Sequence, residues 1–193
     1  MPSRRARIEG APKAADALER TIAVAQAALE TELARARTAA ALEAEPTDRS
    51  NVLAAVEGVV SVVERTEKGS MIVFDIDVTA EAEAPVARSD LAEILGALIE
   101  NAARFARRRV AVRVVEDGQF ITISIGDDGP GMAAGRIDDA LVRGGRLDET
   151  GHGHGLGLSI AKDLTTATRG SMRFAASSLG GLEVALNWLV TPP

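Results

Sequence analysis

Apolar positions recur with two different periods along the chain, and the change of period separates the predicted elements. Between Lys13 and Glu43 they are spaced by threes, fours and a seven, without any Gly or Pro, which predicts one long helix. The apolar seam of this helix consists of Leu18, Ile22, Ala25, Leu29, Ala36 and Ala40. A narrow seam is typical of coiled coils and bundles, so we expect it to pack on a second copy or on a partner outside the chain.

Beyond Pro46, helical and strand periods alternate. A first helix is predicted over Thr47–Thr66, with Asp48 and Ser50 as capping candidates. Two more are predicted, one from a cap at Ser89 or Asp90 to about Arg107 and one from about Leu156 to about Thr168. Strands are predicted over Met71–Val78, Val110–Asp117, Gln119–Gly126, Ser171–Ser178 and Leu182–Leu189, and Gly180–Gly181 joins the last two. This order predicts a two-layer α/β sandwich, with a mixed sheet packed on helices. The chain therefore divides into the long helix, residues 1–46, and an α/β domain, residues 47–193.

Composition excludes several kinds of chemistry. None of the 193 residues is a cysteine, so disulfides, cysteine metal sites and cysteine nucleophiles are absent. The net charge of −6 argues against general affinity for nucleic acid. No apolar run approaches the roughly 20 residues that span a bilayer, and the basic start MPSRRARIEG lacks the apolar core of a signal peptide.

The stretch GHGHGLGLSIAKDL, Gly151 to Leu164, places glycines at every second position just before a predicted helix. Bare backbone lets an anion approach the free N–H groups and the positive end of the helix dipole. The spacing matches neither a Rossmann fingerprint nor a Walker loop. We therefore interpret it as a phosphate-binding loop of another type, with a flexible loop that ends in a helix cap as the alternative. The side chains of His152 and His154 are expected to point away from the phosphates, with metal ligation or acceptance of a phosphoryl group as the alternatives.

The predicted helix DLAEILGALIENAARFARR carries polar residues along the margin of its apolar stripe. The stripe consists of Leu91, Ile94, Leu95, Leu98, Ala102 and Phe105. Asn101 offers an oxygen ligand of the kind Mg²⁺ accepts, Arg104 can neutralise phosphate, and Glu100 can orient a water or accept a proton. The alternative is an ordinary amphipathic helix in which Asn101 is bonded locally.

A third candidate segment is IGDDGPGMAAG, at the end of a predicted strand that aligns Ile121, Ile123 and Ile125 on one face. A buried carboxylate at Asp127 would suit the amino group of adenine. Bare backbone at Gly129 and Gly131 would suit a flat ring. The alternative is a turn, which explains the glycines better than it explains Asp127.

These three segments occur in the order found in the GHKL superfamily of ATP-binding domains (the Bergerat fold). ENAARFA resembles its N box, DDGPGM its first glycine box and GHGHGLGLSIAKDL its second. GLGLSIAKDL and LVRGGRLDE resemble sensor histidine kinases specifically, and LGGLEVALNW is similar to the last hairpin of PhoQ-type kinases. The resemblance covers about Thr47 to Leu189.

The resemblance implies roles for individual residues. Asn101 would hold Mg²⁺ between the ATP phosphates, Glu100 would assist the attack, and Arg104 would replace the N-box lysine. Asp127 would bind the adenine amino group in a pocket shaped by Gly129 and Gly131. The implied phosphate-side residues are Gly153, His154, Gly155, Leu156 and Gly157, together with Arg143 and Arg146 of a lid that runs from about Met132 to Thr150.

The resemblance also implies a reaction and partners. A histidine protein kinase would transfer the ATP γ-phosphoryl group to a histidine on a dimerisation helix and signal through a response regulator, as a homodimer in the parent protein. It implies a cytoplasmic domain and is compatible with an inner-membrane anchor in that parent. Because the chain has no H box, and Lys13–Glu43 resembles only the second helix of the dimerisation hairpin, autokinase activity of the chain alone is not expected. We expect a fragment cut inside the hairpin, or a protein that lost the first helix.

Two other functions stay open. A degenerate GHKL module could dock a response regulator or another partner without using ATP, which the missing H box and Ala97, in place of a family asparagine, favour. A serine kinase of the anti-sigma type shares the boxes but does not explain the long N-terminal helix.

Overall fold

The computed structural model describes residues 49–133 and 157–190, together with Ala28, Glu32, Ala36 and Gly135. The predicted helix Lys13–Glu43 lies outside the described residues except for Ala28, Glu32 and Ala36, which are helical and exposed.

The described elements confirm the predicted alternation of helices and strands. In chain order they are β1 (Ser50–Asn51), α1 (Val52–Val63), β2 (Val73–Asp77), β3 (Glu83–Ala84), α2 (Arg88–Phe105), β4 (Arg109–Glu116), β5 (Phe120–Asp127), α3 (Gly157–Ala167), β6 (Ser171–Ala176) and β7 (Leu182–Leu189). A 3₁₀ turn at Gly69–Met71 precedes β2. The two-residue strands β1 and β3 were not predicted.

The main sheet is mixed, as predicted, and has the strand order β2-β4-β5-β7-β6. Only β2 and β4 pair in parallel, and the other neighbours are antiparallel. Strands β4 and β5 form the predicted hairpin, with Val112 opposite Ile125. Strands β1 and β3 pair separately, with Ser50 opposite Ala84.

The core lies between the helices and one face of this sheet. The alternation in β5 buries Ile121, Ile123 and Ile125 almost completely, and the α2 stripe is buried except for the half-buried Phe105. Full burial of a Leu or Ile side chain contributes about 2 kcal/mol. The apolar stripe therefore fixes α2 on the sheet and leaves its margin at the surface.

The helix caps differ from those predicted. Helix α2 begins at Arg88 after Ala87, which makes no side-chain cap, so Ser89 and Asp90 lie in the first turn. For α1, the Asn51 side chain accepts a 2.8 Å hydrogen bond from the Ala54 N–H. Ser50 does not cap the helix, because its hydroxyl donates to the Val86 carbonyl at 2.7 Å.

Candidate functional site

Two glycine-containing segments contact α2 at points two turns apart. A Cβ atom added to Gly157, the first residue of α3, would lie 3.7 Å from the Ala97 carbonyl oxygen. One added to Gly129 would overlap the Phe105 carbonyl oxygen. Asn101 lies one turn from both Ala97 and Phe105 on the same ridge of the helix. The structure therefore brings these parts of the three predicted boxes together around Asn101.

The polar residues of α2 lie at the surface margin. Asn101 is half-buried, whereas Glu100 and Arg104 are exposed. The Arg104 guanidinium carbon lies 5.4 Å from the centroid of the Phe105 ring, an arrangement that favours a cation over the ring face. Within the described part of the chain, no hydrogen bond involves the Asn101 side chain. The local bonding considered for Asn101 thus finds no support there, and its amide can serve a ligand.

Asp127 is buried at the end of β5, as the sequence predicted, with 3% of its surface exposed. Its Oδ1 atom accepts hydrogen bonds from the N–H groups of Gly129 (2.7 Å) and Leu182 (3.4 Å). Burial raises the pKa of Asp127 above its usual value, against the lowering effect of these two N–H groups; the charge on Asp128 also raises it. Among the described residues, only Oδ1 of this carboxylate accepts a hydrogen bond.

Asp128, which was not predicted, connects the same loop to the end of α2. Its Oδ1 accepts from the N–H groups of Arg107 (2.7 Å) and Arg108 (3.0 Å). Desolvation acts to raise the pKa of Asp128, but the backbone N–H groups of Arg108, Arg109 and Arg107 outweigh it and lower the pKa. The first glycine box therefore contains two neighbouring carboxylates in opposite electrostatic surroundings.

Glycines shape the space beside Asp127. Gly131 has a φ of 71°, a left-handed conformation that glycine adopts without steric penalty. Gly181, in the turn between β6 and β7, packs so closely that a Cβ there would overlap Asp127 Oδ1 and lie 2.6 Å from the Gly129 nitrogen. The Gly180–Gly181 pair suggested this turn, but no sequence pattern indicated its contact with Asp127.

Several predicted site residues lie outside the described residues, namely Arg143, Arg146, Gly153, His154, Gly155 and Leu156. Of the predicted lid, the structure describes Met132, Ala133 and Gly135, and Met132 packs against the core. In the described part of the chain, no helix combines the length and the apolar character of a membrane span.

Residues 87–192, more than half of the chain, match the family of histidine kinase-, DNA gyrase B- and HSP90-like ATPases, and the chain belongs to this family. It is 41% identical over 102 residues to the sensor protein kinase CarS of Pseudomonas aeruginosa, covering 53% of this chain and 23% of CarS. It is 30% identical over 133 residues to the two-component sensor PhoQ of the same organism, covering 69% of this chain and 30% of PhoQ. The matches thus span about a quarter to a third of these relatives.

The fold is also found among solved structures. The mycobacterial sensor histidine kinase MprB superposes with a TM-score of 0.65 at 23% identity, over 76% of this chain and 99% of that one. The sandwich with a mixed sheet is therefore the fold of a histidine kinase catalytic domain, and the GHKL resemblance is confirmed.

Proposed function

We propose that residues 47–193 form the catalytic domain of a sensor histidine kinase that binds Mg-ATP and transfers its γ-phosphoryl group to a histidine on another segment. The observation that carries this proposal is the meeting of Gly129 and Gly157 with α2 on either side of Asn101. The buried carboxylate of Asp127 lies beside Gly129, so a base-binding and a phosphate-binding segment share one helix.

The adenine end of the site fits a flat ring with an amino group. When it is ionised, Asp127 can accept a hydrogen bond from that amino group. Its Oδ1 atom already accepts from backbone donors, so its other oxygen would bind the amino group. Gly129 and Gly131 would shape the adenine pocket, as the family resemblance implies. Enclosure of a hydrogen-bonding group in a buried pocket gives discrimination, because a ligand without the matching donor leaves the carboxylate unpaired.

The phosphate end fits a triphosphate with its metal. Among the described residues, no group of three His, Asp or Glu side chains could hold a metal alone, so Asn101 would hold Mg²⁺ jointly with phosphate oxygens. The ion would neutralise phosphate charge. The N–H groups at the start of α3, where Gly157 lies, would bind phosphate oxygens. The backbone of Gly153, His154, Gly155 and Leu156 and the side chains of Arg143 and Arg146 would join them, as predicted.

The chemical step would consist mainly of positioning and charge neutralisation. An imidazole nitrogen forms a bond to the γ-phosphorus while the bond to the β,γ-bridging oxygen breaks, and ADP leaves. Glu100 would accept the imidazole proton, and Arg104, held over Phe105, would neutralise charge on the transferred group. The accepting histidine would belong to a dimerisation helix, and a response regulator would receive the phosphoryl group next.

A phosphotransfer assay tests this proposal. The chain is incubated with γ-labelled ATP, Mg²⁺ and separately purified histidine-bearing hairpins of sensor kinases. We expect acid-labile label on a hairpin histidine and none on the chain, and a loss of at least about tenfold in Asp127→Ala. Asp75→Ala is the control, because Asp75, on the edge strand β2, forms only a surface ion pair, with Arg109 of β4. Absence of both labelling and nucleotide binding would favour the partner-docking module instead.

A further inference from the structure

Besides Gly129 of its own loop, Asp127 is held by a second segment, the turn between β6 and β7. The Gly181 N–H donates to the Asp127 carbonyl oxygen at 3.1 Å, and the next N–H, from Leu182, donates to Oδ1 at 3.4 Å. The main chain of Asp127 is thus bonded to one residue of the turn, and its side chain is bonded to the next.

We propose that Gly181 is a positioning residue for base selection, which acts by fixing the Asp127 carboxylate. This inference rests on the proposed function, since it concerns the same nucleotide site. With Oδ1 committed to the N–H groups of Gly129 and Leu182, rotation of the carboxylate is restricted. Its second oxygen then has a defined direction in which to meet the amino group of adenine.

The requirement for glycine at this position is steric. Gly180, the preceding residue, has a φ of 101° and belongs to the left-handed region, whereas Gly181 is not among the residues with positive φ. The φ of Gly181 therefore does not itself exclude an alanine. Its methyl group, however, would overlap Asp127 Oδ1 and lie 2.6 Å from the Gly129 nitrogen, so the carboxylate and the backbone beside it would have to move. The carboxylate would have to turn away from the turn, and the direction of its second oxygen would change.

Gly170 provides a matched control for loss of stability. A Cβ there would collide with the Trp188 indole and lie 2.9 Å from the Thr165 Cγ2 atom, so Gly170→Ala is also overpacked. None of these contacts involves Asp127. Gly170→Ala should lower stability through the core while it leaves base selection intact.

The test measures calorimetric affinities for the non-hydrolysable ATP and GTP analogues AMPPNP and GMPPNP, with Mg²⁺. We expect wild type to prefer the adenine analogue. Gly181→Ala should weaken AMPPNP binding by about tenfold, as expected for a misplaced buried hydrogen-bonding group, and leave GMPPNP affinity nearly unchanged. Gly170→Ala should retain the wild-type ratio. In an Asp127→Ala background, Gly181→Ala should change the ratio no further.

If Gly181→Ala lost affinity for both analogues equally, or kept the wild-type ratio of the two affinities, this inference would be overturned and the proposed function would stand. A wild type that binds neither analogue would overturn the proposed function and base selection with it.

If Gly181→Ala does not fold, amide NMR of nucleotide-free wild type decides. The amide resonances of Gly129 and Leu182 should move with pH along curves of one common pKa, and Asp127→Asn should abolish both movements. A Leu182 amide that does not respond would overturn the inference.

Discussion

The Oδ1 atom of Asp128 accepts a 2.7 Å hydrogen bond from the N–H group of Arg107, two residues beyond the end of α2. The preceding residue, Asp127, instead accepts from its own loop and from the β6–β7 turn. The two adjacent carboxylates thus have different roles: Asp128 fixes the backbone that follows α2, and Asp127 faces the candidate site. Burial raises the pKa of Asp127, whereas at Asp128 the backbone N–H donors outweigh desolvation and lower the pKa.

Replacement of Asp128 by alanine should destabilise the domain. The variant leaves the N–H groups of Arg107 and Arg108 without this acceptor, and we expect a loss of about 1 kcal/mol in urea unfolding, reduced by solvent access. Asp77→Ala, on the exposed edge of β2, should change stability by less than about 0.5 kcal/mol. Because the pKa of Asp128 is lowered by folding, its contribution should be present at neutral pH and disappear as the pH falls through that value. Equal stabilities of the two variants would contradict this role.

The pH dependence of Asp127 should have the opposite sign. Folding raises its pKa above the ordinary 3.8, so the nucleotide-free protein should lose stability as the pH rises from about 3.8 through the folded value. Asp127→Asn should remove that loss, and thermal unfolding between pH 4 and pH 8 measures it. The proposed adenine contact uses the ionised carboxylate, so nucleotide affinity should fall on acidification through the same raised pKa. If the stability of wild type rose over this pH interval as much as, or more than, that of Asp127→Asn, the raised pKa assigned to Asp127 would be contradicted.

Asn101→Ala should remove the part of nucleotide affinity that depends on Mg²⁺. The half-buried amide of Asn101 is the candidate protein ligand of Mg²⁺. The nucleotide affinities measured with Mg²⁺ and with EDTA should therefore become equal in the variant. Asn187→Ala is the control, since Asn187 donates to Thr122 at 2.8 Å across two strands and lies away from α2. An undiminished response to Mg²⁺ in Asn101→Ala would exclude the amide as a ligand.

The only tryptophan of the chain, Trp188, links the end of α3 to β7. Its indole N–H donates to the Thr168 hydroxyl at 3.1 Å, and its surface is 1% exposed. Thr168→Val should leave the N–H unpaired and lower stability by about 1–2 kcal/mol, measured by tryptophan fluorescence in urea. Thr166→Val removes a hydroxyl bonded only to the Lys162 carbonyl on the exposed face, and should have a much smaller effect. Similar losses in both variants would indicate that helix propensity, not the indole contact, decides.

Local patterns predicted the elements that bury one face. The alternation of Ile121, Ile123 and Ile125 located β5 and correctly implied a buried Asp127 at its end. Hydrophobic spacing likewise located α2, because burial follows the helical period. Such patterns carry no information on pairing between distant segments, so the parallel register of β2 with β4 and the short β1–β3 ladder were missed.

Caps and contacts of the site depended on the same tertiary information. Ser50 had the side chain of a cap, but its hydroxyl bonds to the distant Val86 carbonyl, and Asn51 caps α1 instead. The approach of Gly181 to Asp127 joins residues 54 positions apart, and Asp128 was indistinguishable in sequence from a turn residue. The roles assigned to Arg143, Arg146, Gly153, His154, Gly155 and Leu156 stay predictions.

The central claim is that the two glycine boxes and Asn101 surround one nucleotide. Titration of the ¹⁵N-labelled chain with Mg-AMPPNP tests it most directly. The account predicts that the Asn101 side-chain amide and the backbone amides of Gly129 and Gly157 shift together, with one dissociation constant, while Ser171 on the edge strand does not respond. Absence of saturable shifts at millimolar nucleotide, or different saturation at Gly129 and Gly157, would contradict it.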